Sequence, residues 1–246
     1  MQKYIIEPNN ADVFLHMNYA KGDFEKSHAN NGTCTFPKDY DLAVLKAYKP
    51  LRWMVEAPRD FKCDLRVPPL RVARFMAMNA HKGFSEMEMK AYMIRQVLSM
   101  FYSISKSLEL CNVYALETGV HYDYVVRARF DCVPKKELAC KRYDPGYLWY
   151  QEFGQPDHLV FDWLNFGSPQ IIHATLGSVF ACIQYLNSPR FYPIAERLPN
   201  TYEPSDACGP FNEGMIRDMA HRLKIPTRAF DVGLCLGVNE FDLKQK

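Results

Sequence analysis

The sequence predicts an α/β fold with a mixed, mostly parallel sheet flanked by helices, and three observations carry that expectation. Short runs rich in strand formers alternate with segments of helical period along the chain. The stretch 85–119 repeats apolar residues at helical spacing and has stop signals at both ends. The gaps between candidate strands are long enough for the crossovers that parallel pairing requires. No internal repeat, linker or low-complexity segment divides the 246 residues, so the reading is a single domain over 1–246.

Taken in order, "ADVFLHMNY" (11–19) is a short apolar run, and "LRWMVEA" (51–57) alternates around Trp53 and Val55; each predicts a strand. The polar stretch "GDFEKSHANNGTCTFPKDY" between them carries Asn-Gly and Pro and predicts a loop. Within 85–119, Ser85 and Glu88 have the spacing of a capping box, and Gly119 stands where a C-cap glycine is expected. Met89, Met93, Val97, Met100, Ile104 and Leu108 line one face, so this helix, broken at most once, should pack on a sheet.

"YDYVVRARFDCVP" (122–134) reads as a strand that Val125 and Val126 bury on both faces and that ends Arg127-x-Arg129-x-Asp131. Side chains alternate, so those three charges share one face. Beyond it, "DHLVFDWLNFGS" (157–168) predicts a strand and "SPQIIHATLGSVFACIQYLN" a helix with Ser168 as cap and Pro169 in its first turn. "FNEGMIRDMAHRLKI" predicts a further helix and "TRAFDVGLCLGV" a last strand.

Composition narrows the function classes. A hydrophobic fraction of 48% and a mean hydropathy of −0.28 describe a globular chain rather than a disordered one. A formal net charge of +2 and a pI near 8.0 supply no large basic field, which disfavours nucleic acid as a partner. No apolar run approaches the ~20 residues of a membrane span, and "MQKYIIEPNN" has no signal-peptide pattern. The 8 cysteines are scattered without a Cys-x-x-Cys pair, as expected of buried, reduced thiols in a cytoplasmic chain; their even number keeps a disulfide framework as the alternative.

The charged strand end has two readings. One is a surface ion pair where the strand leaves the sheet. The other is an anion site, because open α/β sheets bind ligands beyond the carboxyl ends of their strands. There Asp131 offers a hard oxygen ligand for Mg²⁺ or Mn²⁺, and Arg127 and Arg129 each offer a grip on a phosphate oxygen, which together suit a diphosphate.

The block "MFYSISKSLELCNVYALETGVHYDYVVRARFD" resembles one found in GT-A-type glycosyltransferases that build bacterial surface polysaccharides and the capsid glycans of large DNA viruses infecting algae. "NNADVFLHMNY" is similar to that family's Asp-Val-Phe-x-His strand, and "FDWLNFGS" to its Asp-x-x-x-Phe-Gly segment. The resemblance implies a GT-A-like domain and a metal-dependent transferase that moves a sugar from a nucleoside-diphosphate donor to a glycan or glycoprotein hydroxyl. The donor would be a UDP-sugar, UDP-xylose being one candidate, and the setting the cytoplasm, of the host if the chain is viral. It also implies that Asp131 binds Mn²⁺ or Mg²⁺, that Arg127 and Arg129 hold the phosphates, and that Tyr102, Ser103 and Lys106 face the nucleotide sugar. Family members carry a strand and helix ahead of the Asp-Val-Phe-x-His strand, so the first nucleotide-binding strand is expected upstream of "QKYIIEP".

An inverting transferase needs a base near the acceptor hydroxyl. Asp162 is the first candidate because Trp163 beside it offers a ring for a sugar face; Glu213 is the rival, although the helix dipole alone favours a glutamate in a first turn. His16 and His173 read as ordinary packing or helix residues. Two other classes remain. A non-catalytic carbohydrate-binding module would present Trp53, Trp149, Trp163 and the aromatics of 143–153. A metal-dependent phosphohydrolase would need more clustered carboxylates than Asp131 provides.

Overall fold

The computed structural model describes residues 1–18, 39–57, 59, 61, 76, 83–129, 132–151, 163–179, 182–183 and 211–236. Strand β1 (Phe14–Asn18), helix α1 (Tyr40–Tyr48) and strand β2 (Arg52–Glu56) form a βαβ unit in which β1 and β2 pair in parallel, in register from Phe14 opposite Arg52 to Asn18 opposite Glu56. Alternation sorts the side chains of β1: Leu15 and Met17 turn to Val44 of α1 and form a small core with it.

Helix α2 (Glu86–Thr118) covers the other face. It starts at the predicted capping box, in which the Glu88 N–H donates to Ser85 Oγ at 3.4 Å and the Ser85 N–H donates to Glu88 Oε2 at 2.8 Å, and it ends at Gly119 with φ +72°. The helix runs unbroken, where a break was allowed for, because no proline or glycine interrupts 86–118.

A four-stranded sheet follows, in the order β3 (Val125–Ala128), β6 (Leu164–Gly167), β5 (Leu148–Gln151), β7 (Thr227–Phe230). The short strand β4 (Cys132–Val133) pairs antiparallel with β8 (Cys235–Leu236). Helices α3 (Pro169–Leu176) and α4 (Phe211–Arg222) pack on each other, and α3 also packs on α2. Leu98, Phe101, Leu148, Ile172, Leu176, Met215 and Ile216 fill the core between these helices and one sheet face. Leu138, Leu164, Phe166 and Phe230 fill a second core on the opposite face, which Ile5 of the N-terminal helical turn closes. Asn9 ties that turn down: its Nδ2 donates to Leu138 O at 2.6 Å, and its Oδ1 accepts from the Cys140 N–H at 2.7 Å.

The class is mixed α/β as expected, but the pairing is not mostly parallel. Only β1–β2 and β5–β7 are parallel among the described pairs, while β3–β6, β5–β6 and β4–β8 are antiparallel. One cause is the 143–153 stretch, read from sequence as a face of aromatics. It supplies β5 in the middle of the sheet, because Leu148 and Tyr150 alternate into one core and Trp149 into the other. The predicted last strand is two strands, since the Gly233 N–H donates to Asp231 Oδ1 at 2.6 Å and Gly233 takes φ +60°, a turn that ends the ladder. Val125 and Val126 do face different cores, yet all of β3 is only half-buried, and among the described strands it lies at the sheet edge.

Cys111, Cys132, Cys140 and Cys182 are buried and not joined in disulfides, and burial pushes the Cys111 thiol up to about 11 and Cys140 up to about 12. Among the described residues no helix is long and apolar enough to cross a membrane.

Candidate functional site

Helix-covered sheet faces are normally apolar, but the α2-facing side of β1 carries Phe14, His16 and Asn18. Phe14 meets the Tyr114 ring, His16 the Tyr102 ring, and Asn18 the Ser103 hydroxyl, so α2 runs back across the strand with Tyr102 and Ser103 over its carboxyl end. Glu56, the last residue of β2 and the register partner of Asn18, completes the patch. All of it stands at the carboxyl ends of two parallel strands, the position at which open α/β sheets hold ligands.

His16 is 4% exposed, and its Nε2 lies 2.9 Å from Glu56 Oε1. Burial lowers its pKa, more than the Glu56 carboxylate raises it, so the neutral imidazole donates Nε2–H to Glu56 and leaves Nδ1 as an acceptor. Asn18 Nδ2 donates to Ser103 Oγ at 2.9 Å. Among the described residues neither His16 Nδ1 nor Asn18 Oδ1 has a hydrogen-bond partner, although both are buried. Buried polar atoms are nearly always satisfied, so two orphans on one strand single out β1 as a candidate site.

Glu56 is held from several sides. The Tyr102 hydroxyl beside it, His16 and Arg59 together pull its carboxyl down to about 2, so it is ionised at any ordinary pH. Burial and the facing Glu56 charge push the Tyr102 phenol up to about 12; the hydroxyl faces the carboxylate without a hydrogen bond of standard geometry. Arg59 reaches Glu56 Oε2 at 3.3 Å and lays its guanidinium 4.5 Å from the Tyr102 ring centre, and Lys106 Nζ is 5.9 Å from that centre and 2.5 Å from Glu109. Phe61 and His16 take two further edges of the ring at 5.7 and 5.5 Å.

Tyr102, Ser103 and Lys106 therefore sit together. Arg127 lies on β3 of the other sheet, opposite Asn165 across the β3–β6 ladder, and Arg129 directly follows β3, its guanidinium 5.8 Å from the Trp163 ring. Trp163 packs on the second core, and its carbonyl accepts from the Arg129 N–H at 3.1 Å. The Tyr122 hydroxyl, just ahead of β3, donates to Asp12 just ahead of β1 at 2.6 Å, so the two sheets begin from a common contact. Asp131 and Asp162 lie outside the described residues. Glu213 is in the first turn of α4, its side chain outside the description. His173 bonds Asn112 of α2 at 3.1 Å, as a packing histidine would.

The sequence reads His16 as an ordinary packing residue and does not single out Asn18, Glu56 or Arg59; the structure brings all four together. The available signal was a pair of polar residues, His16 and Asn18, two apart in an apolar strand and hence on one face. As for the implied Mn²⁺ or Mg²⁺, among the described residues no group of three or more His, Cys, Asp or Glu side chains converges. In this patch His16 and Glu56 are bonded to each other. Compared with protein-family models, curated proteins and solved structures, the chain matches none.

Proposed function

We propose that the chain is a GT-A-like glycosyltransferase that binds a nucleoside-diphosphate sugar at the carboxyl ends of β1 and β2 beneath α2 and passes the sugar, with inversion, to a glycan hydroxyl. One observation carries the reading: Tyr102, Ser103 and Lys106, the residues the sequence resemblance assigns to the donor, meet the buried polar face of β1 and the ionised Glu56 in one patch. Asp131 as ligand of Mn²⁺ or Mg²⁺, Arg127 and Arg129 as phosphate contacts, Trp163 as acceptor contact, and Asp162 or Glu213 as base belong to the same proposal. The cytoplasm is the compartment that buried cysteines outside disulfides favour.

The competing reading, a carbohydrate-binding module without catalysis, draws on Trp53, which is 54% exposed; Trp149 and Trp163 pack against the second core. A thermal-shift panel of UDP-, GDP- and TDP-sugars with and without Mn²⁺ tests the proposal, since a donor at a hundred times its Kd stabilises by ~2.7 kcal/mol. Release of nucleoside diphosphate from the stabilising donor supports the enzyme. Glycan binding with no stabilisation and no release by any donor supports the module.

A further inference from the structure

We infer that Asn18 and Glu56 form a subsite for a vicinal diol, with the ribose of the donor nucleotide as its occupant; this rests on the glycosyltransferase reading. The two residues are register partners at the ends of adjacent parallel strands, so their side chains leave the sheet on the same side. Both present oxygen. Asn18 commits its amide donor to Ser103 and keeps Oδ1 without a partner among the described residues. Glu56 keeps acceptor capacity: of the roughly four acceptor positions of a carboxylate, His16 takes one on Oε1 and Arg59 one on Oε2, and the Tyr102 hydroxyl faces a third, which leaves at least one for a ligand. The Glu56 side chain is 23% exposed, so a ligand reaches it from solvent.

A row of open acceptors selects a ligand group that donates. The nearby cations do not change that sign, because Arg59 is paired with Glu56 and Lys106 with Glu109. Among the described residues the patch is thus close to neutral and suits hydroxyls better than phosphate. Arg59 covers one face of the Tyr102 ring, and the open oxygens beside it make hydrogen bonding the means of recognition. In dinucleotide-binding βαβ units an acidic side chain also takes the ribose hydroxyls; that parallel is one of topology only.

Isothermal titration of the wild-type chain with UDP and GDP, each against its 2′,3′-dideoxy form, tests this, with Glu56→Gln as the variant. The dideoxy nucleotide should bind about tenfold more weakly or worse, the loss expected when hydrogen bonds to a charged acceptor are given up. In Glu56→Gln, whose amide keeps an acceptor for His16, that discrimination should shrink to about threefold or less. The comparison of nucleotides on the wild-type chain stands even if the variant fails to fold. Equal binding of both forms, together with a UDP-sugar that outbinds UDP only when Glu56 is present, moves the diol from the ribose to the transferred sugar and overturns the ribose assignment. Equal binding with no such effect overturns the subsite while leaving the enzyme intact if donor turnover persists. No binding by any nucleotide or sugar nucleotide overturns both the subsite and the glycosyltransferase reading.

Discussion

His16 and Glu56 come from neighbouring parallel strands and join through one 2.9 Å hydrogen bond, with the imidazole buried and the carboxylate at the solvent edge. The bond fixes the tautomer of His16 and the orientation of Glu56 together, and it gives the fold a defined response to acid. The folded-state pKa of His16 lies below its ordinary 6.5, so protonation favours the unfolded chain and stability falls as the pH drops below that value. Glu56 at about 2, against 4.5, and Asp231 at about 2, against 3.8, stabilise the fold above their ordinary values and lose that contribution as the pH falls toward 2. The melting temperature should therefore decline in two stages. His16→Gln should flatten the first stage and leave the second; an unchanged first stage assigns it to His173, whose pKa burial also lowers.

Lys106→Ala separates binding from folding. The Lys106–Glu109 pair is on the helix surface and is worth ~0–1 kcal/mol, so the melting temperature should barely move. If Lys106 borders the bound donor, the Kd of the stabilising sugar nucleotide should still rise by about three- to tenfold, in keeping with one lost polar contact. A changed melting temperature with an unchanged Kd makes Lys106 a structural residue of α2.

Asp162→Asn tests the base. General-base catalysis contributes ~10²–10⁴-fold, so kcat should drop by about that factor with little change in donor KM. Normal turnover transfers the role to Glu213, and Glu213→Gln on the same preparation completes the comparison.

Ser85→Ala removes the hydroxyl that caps α2, the helix that carries Tyr102, Ser103 and Lys106. The expected cost is ~1 kcal/mol, read from denaturant unfolding, with donor affinity unchanged because the cap is more than four turns from Tyr102 at ~3.6 residues per turn.

Gly167→Ala should destabilise more. A Cβ there would lie 2.8 Å from the Tyr147 carbonyl oxygen and 3.2 Å from Ile171 Cγ2, and the carbonyl belongs to backbone that cannot step aside. Overpacking of this kind costs ~1–3 kcal/mol, visible as a lowered urea midpoint at constant slope.

The long helix was legible in the sequence because its signals are local: a capping box, an apolar stripe and a terminal glycine all act within a turn of where they stand. So were β1, β2, β6, and the Ser168–Pro169 start of α3, in which Ser168 Oγ accepts the Ile171 N–H at 3.4 Å. Strand direction was not, because pairing is a contact between distant segments and periodicity says nothing about which neighbour a strand will choose. Nor was β5 expected in the centre of the sheet: an aromatic run looks the same whether its rings meet a ligand or, like Trp149 on Phe166 at 5.9 Å, each other. The same division holds at the site. His16 in an apolar strand is chemically mute alone, and Glu56 is one carboxylate among many. Tertiary structure made them a pair by laying β1 beside β2 in register and α2 across both, which buries the imidazole, ionises the carboxylate and leaves Asn18 Oδ1 open between them.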